Sequence, residues 1–392
     1  MRAQDSWLPA ACGMACLGLG AGLIGIFGFF VGPLSQEFGV GAAVINIGPV
    51  ALLLVPGIVA PHVGRLADRL PVRRMVLFGT TLAMASLLAI TQVSALWQAG
   101  VLFLCFSLGL TFYGPVVVNG LMVKLYPGRE ARALAIAAIG ISIASATLPP
   151  LMGALLSFLD WRTTLALLAA GVLCLLWVMA LTTLPPGVVG SAADGEHPPA
   201  ADFYRRREFW LIGLCVAMAL GVAVLLAVVY PPHFLARGFT LAQAGWFLSF
   251  AGMAGLLGKA CVAWLGDAGR ARAKWLAMAL LLLQIAGLGL LLRADSVASV
   301  LPAMSLLGFG SGAFIPMHPY LNSRYFDARV ISHVIGAQMP LFLPFGLFGA
   351  PLAGYVFDRT GSYDLVLMVL AAILAVAMLL ALRLPPAAPG RA

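Results

Sequence analysis

AVINIGPVALLLVPGIVAPHVGRLADRLPVRRMVLFGTTLAMASLLAITQVSA, residues 43–95, consists of two apolar runs, 43–63 and 75–95, around a short stretch, Gly64 to Arg74, that holds every Asp, Glu, Lys and Arg of the segment. A helix rises 1.5 Å per residue, so about twenty apolar residues cross the ~30 Å hydrocarbon core of a bilayer. The segment therefore reads as two membrane helices joined by a charged loop.

The same pattern continues in both directions along the 392 residues. Reading apolar runs against their breaks predicts twelve spans, near 10–32, 43–63, 75–95, 98–122, 131–157 and 163–184, then 209–234, 241–264, 273–292, 297–322, 332–356 and 364–383. Composition agrees, since 62% of residues are hydrophobic and only 9% charged, against roughly 25% charged in ordinary soluble domains. Too few polar side chains exist to clothe a water-facing surface, which excludes a soluble enzyme, a disordered tail and a secreted disulfide scaffold. The run beginning near Ala10 is long and is followed by similar segments, so it reads as the first span rather than a cleaved leader. Between the sixth and seventh spans lies the one long polar stretch, Pro185 to Glu208, with Gly195, His197, Pro198, Pro199 and Arg205 to Arg207. The expected organisation is an all-α membrane protein of two six-helix bundles, 1–184 and 209–392, joined by a cytoplasmic linker, 185–208.

Basic residues set the orientation, because Lys and Arg accumulate on the cytoplasmic side. With the amino terminus inside, 18 of the 23 Lys and Arg fall on cytoplasmic segments; Arg162, Arg237, Arg293 and Arg359 fall outside, and Lys259 lies within a span. Both termini are thus expected in the cytoplasm of a cell with a bacterial-type inner membrane. The net charge of +9 is then an orientation signal toward lipid headgroups, with no nucleic acid partner. Cys12, Cys16, Cys105, Cys174, Cys215 and Cys261 all sit in apolar runs without CxxC spacing, as packing residues do. HExxH, GxSxG and P-loop patterns are absent, and Gly308 to Ala313 (GFGSGA) fits a dinucleotide fingerprint only inside an apolar span. No enzyme, no metal and no cofactor is expected, so transport would draw on ion or substrate gradients.

Three landmarks recur at a nearly constant offset. Asp68 matches Asp267 at 199; Gly109 and Pro115 match Gly310 and Pro316 at 201; Pro150-Leu151-Met152-Gly153 matches Pro351-Leu352-Ala353-Gly354 at 201. This order equates spans 1 to 6 with 7 to 12, the repeat expected of a carrier whose two bundles rock about one site.

Gly64-Arg65-Leu66-Ala67-Asp68-Arg69-Leu70-Pro71-Val72-Arg73-Arg74 resembles the loop between helices two and three of the major facilitator superfamily. Phe38-Gly39, Ala133-Leu134-Ala135, Asp160-Trp161-Arg162 and Gly354 to Tyr363 (GYVFDRTGSY) resemble more narrowly its monocarboxylate transporter and oxalate/formate antiporter branch. Pro71 replaces the family glycine, and Ala263 and Ala268 stand where the second copy would carry glycine and arginine. The resemblance implies a secondary carrier of a small organic anion, a monocarboxylate, working by proton symport or anion exchange; separately, the carrier is expected to be a monomer. It also implies that Asp68, Arg69, Arg129, Arg132 and Asp267 take part in contacts that hold one state of a gate.

An ionisable side chain at a helix centre costs about 2.5–3.5 kcal/mol on insertion scales. Lys259 stands eight residues before Asp267, about 12 Å deeper. It either snorkels to the surface or, as the resemblance implies for a basic residue at this place, holds a substrate carboxylate. No acid occupies the middle of any span, and one fixed cation suits a monocarboxylate better than a dicarboxylate. His318, in Pro316-Met317-His318-Pro319-Tyr320, either carries a proton or bonds a carbonyl freed by those prolines, which are expected to break the tenth helix. Tyr113, Asn119 and Tyr230 are further candidate ligands or packing groups. The glycines of the first span, 13, 18, 20, 22, 25, 28 and 32, read as points of close helix approach. Two other readings remain open: an exporter of a neutral or amphipathic compound, and a membrane sensor that does not transport.

Overall fold

The computed structural model describes residues 6–45, 48–187, 202–268 and 272–385. Twelve helical stretches among them are long and apolar enough to cross a membrane. They are Leu8–Gly25, Val50–Arg69, Val72–Ile90, Leu96–Leu125, Glu130–Phe158 and Trp161–Thr183, then Arg207–Ala236, Gln243–Gly266, Ala273–Leu291, Val297–Tyr325, Ala328–Thr360 and Asp364–Leu382. The described residues contain helices and turns and no strand. We number these stretches as spans 1 to 12. Most of the expected linker, residues 188–201, lies outside the described residues; Asp202–Arg205 forms a 3-10 turn ahead of span 7.

Spans 4 and 11 and the run expected at 10–32 are interrupted, and local chemistry explains each site. The run expected at 10–32 is two helices, Leu8–Gly25 and Gly28–Phe38, and the second ends on Gly39 with φ 63, a left-handed conformation that glycine adopts without strain. Span 4 divides into Leu96–Tyr113 and Pro115–Leu125, with Gly114 extended at ψ −162; Pro115 has no N–H to continue the ladder. Span 11 passes from an α-helix, Ile331–Gln338, through a 3-10 turn at Met339–Phe342 that contains Pro340, into Leu343–Thr360.

The tenth span corrects an expectation. It runs unbroken from Val297 to Tyr325 through Pro302, Pro316 and Pro319. Packing supplies the reason: a Cβ on Gly255 of span 8 would stand 3.0 Å from the Gly308 carbonyl oxygen and 3.4 Å from the Gly312 Cα. This close approach holds the tenth helix against span 8 on the amino-terminal side of Pro316. The first-span glycines divide likewise. A Cβ on Gly18 would lie 2.6 Å from the Gly140 carbonyl oxygen, whereas Gly25, Gly28 and Gly32 face open space.

The chain forms two compact units. The first comprises the described residues of Met1–Pro127, Ile136–Ala200 and Ala328–Ala337; the second comprises those of Gly128–Ala135, Ala201–Asp327 and Gln338–Ala392. Each is mostly one half of the sequence and includes one short segment from the other half. In the first unit Gly336 packs on the Ala60 carbonyl, and Gly64 and Gly120 both pack on Ser332. Those three glycines make room for the eight-residue helix Ile331–Gln338 against spans 2 and 4.

Candidate functional site

The charged loop builds a buried polar centre at one end of the first unit. The helix that begins at Gly48 continues to Arg69, past the expected end at 63, and Pro71 starts the next helix. Within its last turn Arg65 and Arg69 point outward while Asp68 is 5% exposed. The Asp68 carboxylate accepts from Lys124 Nζ at 2.8 Å, from the Ser332 backbone N–H at 3.1 Å and from the His333 backbone N–H at 2.8 Å. Lys124 Nζ also donates to the Ala67 carbonyl at 3.2 Å. Ser332 and His333 open the helix Ile331–Gln338, so Asp68 satisfies two amides that no helical carbonyl can reach and faces the positive end of the helix dipole. Arg69, Arg129 and Arg132 are exposed. The Asp267 side chain lies outside the described residues.

In the second unit an ion pair joins Arg324 Nη2 to Glu130 Oε1 at 2.8 Å, with side chains 11% and 6% exposed. Close by, the Tyr320 hydroxyl donates to the Gly266 carbonyl.

Deeper in that unit, a polar cluster joins spans 7, 10 and 11. Gln338, fully buried, stands where the eleventh span turns from α to 3-10. Its Nε2 donates to the Phe209 carbonyl at 3.0 Å and to Asn322 Oδ1 at 3.2 Å. Its Oε1 accepts from Asn322 Nδ2 at 2.8 Å and lies 2.7 Å from His318 Nε2. The Phe209 carbonyl can only accept, which fixes the orientation of the amide. An amide oxygen can only accept as well, so His318 carries a proton on Nε2, and its neutral ring keeps Nδ1 as an acceptor. Asn322 Nδ2 also donates to the His318 carbonyl at 3.1 Å.

Lys259 lies on the helix Leu241–Ala268 and is 3% exposed, so its stem does not snorkel to the surface. Tyr230 is buried and stacks on Phe234 with ring centroids 6.0 Å apart. Tyr113, at the break of span 4, is fully buried, and its hydroxyl has no hydrogen-bond partner among the described residues. Asn119 is half-buried on Pro115–Leu125. The five candidate ligands thus divide between the units, with Tyr113 and Asn119 in the first and Tyr230, Lys259 and His318 in the second.

Sequence reading missed Lys124, Glu130, Arg324, Asn322 and Gln338 as parts of these centres. The signal for Asn322 was present, because it follows His318 by four residues and shares its helix face. Lys124 carried no such signal, since its partner is 56 residues away. Among the described residues no cluster of three or more His, Cys, Asp or Glu offers a metal site.

Comparison with known proteins places this architecture. The sequence profile of the Major Facilitator Superfamily matches residues 10–343. Mouse Monocarboxylate transporter 11 is 25% identical over 98% of this chain and 88% of its own length. The human Monocarboxylate transporter 11 is 26% identical over 91% of this chain and 78% of its own. Among solved structures, the transporter FucP in its outward conformation superposes with a TM-score of 0.76 at 14% identity, covering 97% of this chain and 99% of that one. The human organic anion transporter MFSD10 gives 0.70 at 16%, covering 96% and 97%.

Proposed function

The chain belongs to the Major Facilitator Superfamily, and from that premise we propose that it carries a small organic anion, a monocarboxylate, by alternating access with a proton or in exchange for another anion. It is a multi-pass membrane transporter rather than an enzyme. In our reading both termini are cytoplasmic, the halves 1–184 and 209–392 are the moving bodies, and the carrier works as a monomer in an inner membrane.

The observation that carries the proposal is the burial of Lys259 on span 8, 3% exposed. A buried ammonium is costly to keep in a membrane protein and is retained where it recognises something. A carboxylate is the complementary guest, and charge-assisted hydrogen bonds from Nζ to its oxygens orient it. The names of the mammalian relatives point the same way. His318, with Nδ1 left as an acceptor by the Gln338 bond, is our candidate proton carrier. Tyr113, Asn119 and Tyr230 supply the remaining polar contacts. The gate in this reading is worked by Asp68 and by the basic residues Arg69, Arg129 and Arg132, with Asp267 as the counterpart of Asp68.

Counterflow in proteoliposomes tests it. Labelled monocarboxylate should accumulate against a trapped unlabelled pool, Lys259→Arg should retain uptake, and Lys259→Gln should lose it. Full uptake in both variants removes the anion assignment, and absence of counterflow with any small carboxylate removes the substrate class.

A further inference from the structure

At the end of the first unit away from the Asp68 loop lies a cavity of about 580 Å³. Ala51 in its wall precedes Asp68 by seventeen residues on one helix, roughly 25 Å along the axis. Every described residue that lines it is apolar or glycine, and Phe27, Phe30, Phe103 and Phe106 form much of its inner wall. On spans 2 and 4 its rim is open. Trp97 is 70% exposed there, and Val50, Val101 and Leu104 are exposed beside it, which is a bilayer-facing edge in a membrane protein.

One end of the cavity is charged. Trp161, in the wall, donates its indole N–H to Glu37 Oε2 at 2.7 Å. Arg162 pairs with Glu37, donates from Nε to the Thr91 carbonyl at 2.8 Å and from Nη2 to the Val93 carbonyl at 3.1 Å, and lies over the Trp161 ring. The Asp160 carboxylate accepts from the Arg162 and Thr163 amides at the start of span 6. These three side chains sum to one negative charge. Glu37 and Arg162 remain about one-third exposed, at 32% and 33%.

Moving an acyl chain from the bilayer into an apolar cavity gains little, because both surroundings are apolar. Retention therefore depends on the headgroup. A net negative cluster repels an anionic headgroup, and a choline headgroup has no N–H to give. A primary ammonium can donate to Glu37 and Asp160. The adjoining phosphate can take the two of the five Arg162 N–H groups that the described bonds leave over. We propose that this cavity holds an acyl chain of a phospholipid with a primary-ammonium headgroup, of the ethanolamine type, from the leaflet opposite the Asp68 loop.

Native mass spectrometry of the full chain with added phosphatidylethanolamine, phosphatidylcholine and phosphatidylglycerol of matched acyl chains reads the proposal. Retention of the ethanolamine lipid should exceed the other two by about tenfold, the equivalent of one charge-assisted hydrogen bond. Glu37→Gln should reduce it to the level of the choline lipid. Gly100 lines the cavity, and a Cβ added there meets no atom within 4 Å. Gly100→Leu should therefore fill the space, keep the melting temperature and lower retention of all three lipids. Equal retention of the three lipids by the wild type, or unchanged retention in Gly100→Leu, overturns the assignment.

Discussion

Replacing Lys124 by Met would leave the Asp68 carboxylate buried, with its two backbone amides but without its ion-pair partner. Asp68 is 5% exposed and Lys124 9%, so water cannot take the place of the lost partner without local opening. Removing one member of a buried pair typically costs about 3–5 kcal/mol, most of it from the uncompensated charge. The same Asp68 oxygens hold the amides of Ser332 and His333, so the strain falls on the start of the helix Ile331–Gln338. At 1.36 kcal/mol per tenfold, that loss would raise local opening by about 10² to 10⁴. Hydrogen exchange at the Ser332 and His333 amides is the direct assay, with an amide on a lipid-facing span as the internal control. Asp68→Asn should expose the same two amides, since it strands the Lys124 ammonium. The double variant should lose less than the sum of the singles, with a coupling of about 0.5–3 kcal/mol. Unchanged exchange in Lys124→Met, or strict additivity in the double variant, would refute the claim that Lys124 balances the buried Asp68 carboxylate and so holds these amides.

The Tyr113 hydroxyl is buried with no hydrogen-bond partner among the described residues, and such a group costs about 1–3 kcal/mol; Tyr113→Phe should hold or raise the melting temperature, and a fall in uptake without a fall in melting would mark a substrate contact. The Arg162 guanidinium beside Glu37, together with the Trp161 N–H, holds that carboxyl below its ordinary value of 4.5 against a smaller opposing effect of partial burial. A depressed folded-state value means the stabilisation is present above the ordinary range and is lost as pH falls through the lowered value. Melting curves should therefore drop on acidification below about pH 4.5, and Glu37→Gln should flatten that part of the profile.

The spans were legible because a bilayer enforces one rule everywhere: backbone polar groups must be satisfied within a helix, so length and hydropathy suffice. Where a helix breaks was less legible. Pro115 and Pro316 occupy equivalent places in the repeat, yet only Pro115 interrupts its span. The tenth span packs backbone to backbone on span 8 through Gly255, Gly308 and Gly312, and a pattern read along one helix does not reveal its neighbour. The charged centres were legible by residue and not by partner. Asp68 was identifiable from its loop, but its amides come from residues 332 and 333, more than 260 positions on. Lys259 stood out because a charge in an apolar run is rare, whereas Gln338 is neutral and signals nothing until the turn around it is seen.

Placing Ala328–Ala337 in the first unit has a consequence for biogenesis. A ribosome delivers the chain in order, and domains usually complete themselves as they emerge. Here the carboxylate at position 68 must wait through some 260 further residues for the two amides that cap it. Until then Gly64 and Gly120 face a vacant groove that the nascent half cannot fill. An amino-terminal fragment ending before residue 328 should insert into the bilayer and still be recognised by quality-control proteases as unfinished.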